Sequence, residues 1–402
     1  MSVDRKARNI SFLKQIILSQ LEHRKAPFCA YIYDLSKLKS HAISLKKSLP
    51  KPFQLFYAVK ANSNERVLQV LSDVVDGFEV ASLGEIEKVR KINQSVPVIF
   101  GGPAKTDDEL EGALQHRVAS IHIESIHELN RLNQIAQKKQ QMVSILLRVN
   151  LQQSVPDAKM KMAGIATQFG MEEKEIPRVI ELLKGWKWIR LLGFHFHAMS
   201  NNLNAKKHAL FVDHCLRKVR KWERYYGLNI SHVNLGGGFG INYTDPHRPF
   251  SWNTFMKELR KLKGDNELPH SIIFESGRYI TSSIGYYAAE VLDIKKNHGK
   301  IFVILRGGTH HLRLPAAWKM NQPFMTIPVE AWKYPFIRPQ VTAQEITIAG
   351  ELCTPNDILA RDVFVNQLRA GDIVLFTLAG AYSWEISHHD FLSHPHPDWV
   401  YI

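Results

Sequence analysis

The chain has 402 residues, 45% of them hydrophobic and 22% charged, and it carries a formal net charge of +14. This length predicts one large domain with a smaller one, and the composition is that of a globular protein. No apolar run reaches the ~20 residues of a membrane span, and the amino-terminal residues lack the apolar segment of a signal peptide. The three cysteines are too few for a disulfide framework. We therefore expect a cytoplasmic protein with no membrane contact.

The positive charge has two explanations, a nucleic-acid partner or anionic small molecules. The Lys and Arg residues are spread along the chain, and the densest stretch, residues 217–224, is typical of the solvated face of one amphipathic helix. No helix-turn-helix, zinc-finger or RNP pattern accompanies it. The sequence therefore favours a small anionic substrate and no nucleic acid.

Short apolar runs alternate with helical spacing in the first two thirds of the chain. The eight runs are Gln54–Val59, Val74–Val80, Pro97–Phe100, Ser120–Ile123, Val143–Val149, Arg190–Phe196, His232–Leu235 and Ser271–Phe274. Most are continuously apolar, as is typical of strands covered on both faces. Eight such units in roughly 220 residues predict an α/β fold, a (β/α)₈ barrel. A doubly wound open sheet also explains the alternation, but not the count.

The pattern changes after about Tyr279, where strands follow one another without long helices. These runs are Tyr286–Ile294, Ile301–Leu305, Glu345–Ala349, Asp362–Asn366 and Asp372–Thr377. They predict a second, mostly β domain, which the apolar segment Phe28–Tyr33 is expected to join. We assign residues 40–280 to the barrel, and residues 1–39 together with 281–402 to the β domain.

Catalytic groups in such a barrel lie where the strands end. Lys60 directly follows the first apolar run, a position that points into the mouth of the barrel. Burial there would lower the pKa of its amine and make it a nucleophile toward an aldehyde. Most lysines are solvated, so this position alone does not decide the chemistry.

Two later loops are typical of phosphate binding. Gly236, Gly237 and Gly238 follow the seventh run, and Gly277 with Arg278 follows the eighth. The loops after these two strands are the common phosphate site of the barrel, where glycines let backbone N–H groups approach phosphate oxygens. A lone glycine triplet is more often a turn, but two such loops at the correct strands predict a phosphorylated ligand.

His195 and His197 end the sixth run and lie on one face of the strand, because side chains alternate with a period of two. One interpretation is a pair of zinc ligands, and the other is two polar side chains inside the barrel. No third ligand follows at a suitable local spacing, so we predict no metal.

Six ordered motifs resemble those of the fold-type III pyridoxal-phosphate (PLP) decarboxylases, the family of the diaminopimelate, ornithine and arginine decarboxylases. The motifs are Tyr57–Asn62, Phe196–Ser200, Gly236–Gly238, Glu275–Tyr279, Gly350–Asp357 and Gly380–Tyr382. The resemblance extends from about residue 28 to the end of the chain. It implies an alanine racemase-like barrel and an enzyme with pyridoxal 5'-phosphate as cofactor.

The resemblance also implies a role for each matching residue. Lys60 binds the cofactor as a Schiff base, Glu275 contacts the pyridine nitrogen, and His197 packs on one ring face. Cys353 donates a proton to the product, across the interface of a head-to-tail homodimer with shared active sites; its alternative is a buried apolar cysteine. The residues implied to bind the cofactor are Lys60, His197, Ser200, Gly236, Gly237, Gly238, Glu275, Gly277, Arg278 and Tyr382.

The sequence departs from the basic-amino-acid enzymes at three motif positions. Thr354 stands where an acid usually holds the far amino end of the substrate, Ser276 replaces a proline, and Gln168 replaces a lysine. Loss of the acid argues against a cationic distal group. The candidate substrate-binding residues are Arg306, Arg313, Thr354 and Asp357, together with the histidines at 388, 389, 394 and 396.

Four segments resemble one branch of the family, the decarboxylases of carboxylate siderophore biosynthesis such as that of staphyloferrin B. They are Phe78–Ser82, His195–Asn202, Leu305–Thr309 and Ser387–Pro397. This branch implies a citryl-diaminopropionate conjugate as substrate. Two alternatives stay open: a diaminopimelate, lysine or ornithine decarboxylase, and a non-catalytic PLP-binding homologue.

Overall fold

The computed structural model describes residues 3–22, 24, 26–152, 160–161, 164–263 and 270–402. Its contacts divide the chain into two compact units. One unit is Leu35–Thr281, and the other combines Met1–Asp34 with Ser282–Ile402. Our predicted range for the barrel is 40–280.

The unit Leu35–Thr281 is a closed barrel of eight parallel strands. The strands are Phe53–Ala58, Gly77–Val80, Val98–Phe100, Ser120–Ile123, Val143–Asn150, Ile189–His195, His232–Asn234 and Ser271–Ser276. Each strand pairs in parallel with its neighbours in the chain, and the first pairs with the eighth, which closes the barrel. The predicted (β/α)₈ barrel is confirmed, and the open sheet is wrong.

Helices cover the barrel and follow most strands. They are Leu35–Ser48, Glu65–Ser72, Leu83–Ile92, Asp107–Gln115, Ile126–Lys139, Ile176–Leu183, Ala205–Tyr226, Trp252–Lys263 and the short Arg278–Thr281. Ser82, Thr106 and Ser125 cap three of them by accepting a hydrogen bond from the backbone N–H three residues later. Among the described helices, none combines the length and the apolar character that crossing a membrane requires.

The second barrel strand is shorter than its apolar run. The run predicts a strand from Val74, but the strand begins at Gly77. The amides of Val74 and Val75 both donate to the carbonyl of Leu71, so these residues close the preceding helix. Apolar residues in the last turn of a helix therefore extended the predicted strand.

The second unit is mostly β, as predicted. Its strands are Cys29–Tyr33, Gly285–Asn297, Lys300–Leu305, Phe324–Ile327, Gln340–Ala349, Ile358–Arg369, Ile373–Phe376 and Asp398–Tyr401. Cys29–Tyr33 pairs antiparallel with Gly285–Asn297, so this segment belongs to the sheet of the second unit. The pattern did not predict Phe324–Ile327 and Asp398–Tyr401, two four-residue strands.

The amino-terminal helix Val3–Leu21 contributes to the core of this unit. Leu13 and Ile17, spaced four residues apart, pack with Phe28 and with Ile373 of the sheet, and all four are buried. Spacing of four residues places both side chains on one face of the helix. The helix is therefore an integral layer of the β unit.

His208 is buried uncharged in the helix Ala205–Tyr226. Its ring stacks on Phe239 with a centroid distance of 4.4 Å, and its Nδ1 lies 3.4 Å from Nδ2 of Asn202. Burial lowers the pKa of His208 from 6.5 to about 3. The unfolded chain therefore binds a proton that the folded chain excludes, so stability is lost as the pH falls from 6.5 toward 3.

Replacement of His208 by glutamine, which does not titrate, should reduce this loss. Between about pH 7.5 and about pH 5, the free energy of unfolding should fall by about 2 kcal/mol less than in the wild type. Urea titrations at the two pH values measure the difference. His247→Gln, at an exposed position, is the control and should keep the wild-type dependence. A wild-type dependence in His208→Gln would show that His208 is not held neutral.

Candidate active site

Lys60 lies in the short turn Val59–Ala61 that follows the first barrel strand. Its Nζ donates to both carboxylate oxygens of Glu79, at 2.8 and 2.7 Å. The side chain of Lys60 is 39% exposed and that of Glu79 is 6% exposed. The burial expected for Lys60 is therefore not found, because its amine reaches the open end of the barrel, where the buried carboxylate accepts from it.

Glu275 on the eighth strand is buried among nitrogen atoms from neighbouring strands. Nδ2 of Asn234 donates to Oε1 of Glu275 at 2.8 Å. Nε2 of His195 lies 3.6 Å from Oε1, and Nδ1 of His197 lies 3.6 Å from Oε2. The two histidines therefore approach one carboxylate, as their common face predicts.

A third histidine joins this group from the fourth strand. Nδ1 of His122 lies 3.9 Å from Oε1 of Glu275, and the ring centroids of His122 and His195 are 4.2 Å apart. His122, His195 and Glu275 each offer one ligand atom, and these three atoms lie within 4.8 Å of one another, a spacing that could hold a metal ion. The spacing of residues along the sequence could not predict His122, because only the closed barrel brings its strand close to His195 and Glu275. The expectation of no metal stays a prediction.

The loop after the seventh strand has room only for glycine. A Cβ atom at Gly237 would lie 2.0 Å from the carbonyl oxygen of Glu275, and one at Gly236 would lie 2.4 Å from Nδ1 of His197. Gly236 and Gly238 have φ values of +63° and +93°, which other residues rarely adopt. The backbone of this loop therefore approaches both Glu275 and His197 closely.

Two hydrogen bonds join this loop to the residues around Glu275. The amide of Gly236 donates to Oδ1 of Asn234 at 2.9 Å, and the amide of Gly237 donates to Nδ1 of His197 at 3.3 Å. Asn234 thus binds the loop with its oxygen and Glu275 with its nitrogen. One amide side chain fixes the carboxylate and the glycine loop relative to each other.

The turn after the eighth strand packs against the turn that carries Lys60. A Cβ atom at Gly277 would lie 2.7 Å from Cβ of Ala61. Arg278 begins the helix Arg278–Thr281, is buried, and donates from Nη1 to the hydroxyl of Tyr243 at 2.9 Å. The strand pair Met199–Ser200 and Met160–Lys161 lies beyond the sixth strand and contains Ser200.

Burial sets the charge of the two groups at the centre of this site. It lowers the pKa of His197 to about 3, with the charge of Lys60 acting in the same direction. It raises the pKa of Glu275, against the opposing effects of Lys60 and the Asn234 hydrogen bond. The His197 ring is therefore neutral near pH 7, with Nδ1 free to accept from Gly237.

Three charged residues at the strand ends were not among the predicted site residues, namely Glu79, Glu124 and Arg148. Glu79 accepts from Lys60, and Glu124 accepts hydrogen bonds from Arg148 and from the amide of Gly170. The side chains of Glu79, Glu124 and Arg148 are all buried. Each could have been noticed in the sequence as a charged residue at the end of an apolar run, but the sequence does not show which residue it contacts.

The β unit contains the remaining predicted residues. Cys353 is a free thiol and is exposed, so the buried-cysteine alternative does not hold for the described chain. Tyr382 is half-buried, with φ of +52°. The guanidinium of Arg306 pairs with Glu351.

Asp357 is buried beneath the loop that follows Cys353. Its carboxylate accepts from the amide of Thr309 at 2.6 Å and from the amide of Leu352 at 2.8 Å. A Cβ atom at Gly308 would lie 2.5 Å from the same carboxylate. Asp357 therefore ties the two loops of the β unit together.

A cavity of about 630 Å³ lies in the same unit. Its polar lining includes Thr309, Arg313, Lys319, Thr354, Arg361 and His388. Of the candidate substrate residues, Arg313, Thr354 and His388 belong to this lining, whereas Arg306 and Asp357 do not. The volume is in the range of small-molecule sites.

Comparison with known proteins gives one family. The model of the pyridoxal binding domain of pyridoxal-dependent decarboxylases matches residues 35–282. A Staphylococcus aureus protein named 2-[(L-alanin-3-ylcarbamoyl)methyl]-2-hydroxybutanedioate decarboxylase is 45% identical over 96% of this chain and 97% of its own length. A Niallia circulans decarboxylase of an L-glutamyl acyl-carrier protein is 31% identical over 96% of this chain and 91% of its own.

Solved structures give the same fold. Diaminopimelate decarboxylase from Helicobacter pylori, complexed with L-lysine, matches with a TM-score of 0.83 and 25% identity, over 96% of this chain and 94% of that one. Lysine/ornithine decarboxylase from Vibrio vulnificus matches with a TM-score of 0.79 at 24% identity, over 97% and 98% of the chains. Both support the barrel with its second β domain.

The central position of Asn234 predicts a large effect of its removal. Asn234→Ala leaves the buried Glu275 carboxylate without its amide donor and the Gly236 amide without its acceptor. We expect a loss of about 2–4 kcal/mol in the free energy of unfolding, measured by urea titration. Asn130→Ala, at an exposed helix position, should change it by less than about 0.5 kcal/mol. Equal small effects of both substitutions would contradict the role given to Asn234.

Proposed function

Because the chain belongs to the pyridoxal-dependent decarboxylases, we propose that it removes the α-carboxylate from the amino-acid end of a citryl-diaminopropionate-type conjugate. The observation that carries the reaction is the arrangement of Lys60, Glu79, His197 and Glu275 around the glycine loop. Similarity over nearly the whole length of the Staphylococcus aureus relative supports the substrate class.

The residues at the strand ends fit pyridoxal 5'-phosphate. The loop Gly236–Gly238 has no room for side chains, which lets a phosphate approach its backbone. The amides of Gly236 and Gly237 donate to Asn234 and His197, so the loop would contact the phosphate with its remaining backbone groups. Lys60 supplies a primary amine for the aldehyde, and the buried Glu275 carboxylate is an acceptor for the N–H of the pyridine ring. Arg278, Ser200 and Tyr382 complete the proposed set that holds the cofactor.

When bound, the cofactor supplies an electron sink that stabilises the negative charge left on the α-carbon as CO₂ departs. The chain prepares that site in two ways. Glu275, fixed by Asn234, holds a proton at the ring nitrogen, and neutral His197, fixed by Gly237, presents its flat imidazole. Glu79 accepts from Lys60 and keeps the amine at the open end of the barrel.

The name of the Staphylococcus aureus relative supports the proposed substrate. The name of the Staphylococcus aureus protein describes an alanine whose C3 is joined by an amide to a 2-hydroxybutanedioate. Such a molecule has an α-amino acid at one end and a hydroxy-dicarboxylate at the other. Thr354 and the net charge of +14 agree with an anionic distal end.

We further propose a cytoplasmic homodimer with active sites shared between subunits. Cys353, exposed in its own unit, would then donate the proton that replaces CO₂ in the site of the partner subunit. The resemblance to the family supports this arrangement, and the three free cysteines agree with a reducing compartment.

A substrate panel tests the reaction. The PLP-loaded protein should release CO₂ from the citryl-diaminopropionate conjugate with a kcat/KM at least about 10³-fold above that for meso-diaminopimelate, lysine or ornithine. Product mass and CO₂ release are the measurements, and Lys60→Ala is the inactive control. Preferential turnover of a free diamino acid would contradict the proposed substrate, and no turnover of any compound would favour the non-catalytic alternative.

Mixing two inactive variants tests the shared site. Lys60→Ala and Cys353→Ala should each lose turnover, and after subunit exchange an equimolar mixture should recover about a quarter of wild-type activity. Half of the dimers are then mixed, and each mixed dimer has one intact site of two. Recovery is measured as CO₂ release. No recovery, with exchange verified by mass spectrometry, would contradict donation across the interface.

A further inference from the structure

The proton of the buried His122 ring can be placed from the hydrogen bonds of Asn234. The side-chain oxygen of Asn234 accepts from the amide of Gly236 at 2.9 Å, and because a backbone amide can only donate, this contact identifies the other end of the side chain as the NH₂ group. That group donates one hydrogen to Oε1 of Glu275 at 2.8 Å, and its nitrogen lies 3.3 Å from Nε2 of His122. The second hydrogen is therefore donated to Nε2 of His122.

A neutral imidazole that accepts at Nε2 carries its proton at Nδ1. The ring of His122 is neutral because burial lowers its pKa well below the usual value, and the charges of Lys105 and Arg148 act in the same direction. Nδ1 of His122 lies 3.9 Å from Oε1 of Glu275, the oxygen that also accepts from Asn234. The Nδ1–H group of His122 therefore lies beside this oxygen.

The two oxygens of Glu275 have different surroundings. Oε1 accepts from Asn234 and lies near His122 and His195, whose Nε2 is 3.6 Å away. Oε2 lies 3.6 Å from Nδ1 of His197, but that nitrogen accepts from a backbone amide in a neutral ring and has no proton to donate. Among the residues that the structure describes, none donates a hydrogen bond to Oε2. The carboxylate thus has one anchored oxygen and one that is available as an acceptor.

The barrel fixes the position of His122. The residue belongs to the strand Ser120–Ile123 and has no exposed surface, and its ring packs on that of His195 with a centroid distance of 4.2 Å. Its backbone carbonyl accepts from Nζ of Lys105 at 2.8 Å. A polar ring buried in this way costs free energy unless its nitrogens are used. Within the described part of the chain, the contact with Asn234 is the hydrogen bond that the ring makes.

We propose that His122 is a positioning residue, which accepts from Asn234, holds Oε1 of Glu275 in place and leaves Oε2 for the N–H of the pyridine ring. The inference rests on the proposed function, in which Glu275 contacts that ring nitrogen. Without an acceptor at position 122, the second hydrogen of Asn234 would be buried and unpaired, and the amide would lose its fixed orientation. The carboxylate could then turn, and the pyridine nitrogen would hold its proton less firmly.

A metal ion bound by His122, His195 and Glu275 is the competing interpretation of the same atoms. A histidine binds a metal through an unprotonated nitrogen. Nδ1 of His122 carries the proton, and its Nε2 accepts from Asn234, so both nitrogens of this ring are already used. The tautomer of His122 therefore favours a hydrogen-bonding role over a metal ligand.

The test compares three variants of the PLP-loaded protein. His122→Phe keeps a ring of similar size and removes the acceptor, whereas His122→Gln keeps an acceptor, because the side-chain oxygen of glutamine can reach the position of Nε2. His127→Phe, at an exposed position of the helix Ile126–Lys139, is the matched control. The cofactor carries ¹⁵N at the ring nitrogen, whose NMR resonance reports whether that nitrogen is protonated. The kcat and KM for the conjugate are measured with the same samples.

In the wild type, in His127→Phe and in His122→Gln, the ring nitrogen should stay protonated near neutral pH. In His122→Phe, the pH at which it loses its proton should fall by about one unit, and kcat should fall by about 10- to 100-fold. The KM should change by less than about threefold, because His122 acts on the cofactor and not on the substrate. A wild-type ¹⁵N titration in His122→Phe would overturn the proposal. Equal defects in His122→Phe and His122→Gln would assign the effect to ring packing and would also overturn it.

The folding of each variant is checked by urea titration. If His122→Phe does not fold, His122→Asn, whose shorter side chain does not reach Asn234, takes its place with the same expectation. A ¹⁵N titration that depends on residue 122, in a protein that does not turn over the conjugate, would support the role of His122 and refute the proposed reaction. Wild-type turnover together with a wild-type ¹⁵N titration in His122→Phe would refute the role of His122 and leave the reaction intact.

Discussion

The hydrogen bond from Asn234 to the buried Glu275 carboxylate is the interaction on which the barrel site depends. Burying a carboxylate is costly unless donors and nearby positive charge compensate for it. Asn234 supplies the donor, and Lys60 supplies the charge. Because the same amide side chain accepts from Gly236, the position of the carboxylate also sets the position of the glycine loop. A cofactor that contacts both is therefore placed by one residue.

The two units differ in the environment of their charged groups. In the barrel, buried groups with shifted pKa values are assembled for one chemical step, and His197 is kept neutral for that purpose. In the β unit, solvated cations line a cavity and no acid accompanies them.

The sequence predicted the barrel well because its signals are local. Eight apolar runs with turn residues between them correspond to eight strands, and the error at Val74 arose where a helix end is as apolar as a strand. Lys60 was singled out because it directly follows the first apolar run, and Glu275 because it lies in a motif of the family. Their partners were not, since Glu79 and His122 reach them only through the order and register of neighbouring strands.

The cavity in the β unit shows the same limit. Thr354 was predicted as a substrate residue from its place in a family motif, and Arg313 was predicted as a basic residue that could meet a carboxylate. Arg361 is an exposed residue of the strand Ile358–Arg369 in a chain with many basic residues, and only the folded unit brings it to the same wall. Arg306 and Asp357 were predicted as substrate residues in the same way. In the structure Arg306 forms an ion pair with Glu351, and Asp357 accepts from two backbone amides.

The most direct test of the account is to ask which carboxylate leaves. The citryl-diaminopropionate conjugate would be prepared with ¹³C either in the α-carboxylate or in the carboxylates of the citryl end, and turned over by the PLP-loaded protein. The account predicts labelled CO₂ from the first substrate only, with a product that keeps every citryl carboxylate. Labelled CO₂ from the citryl end, or an unchanged conjugate under conditions in which the cofactor is bound, would contradict it.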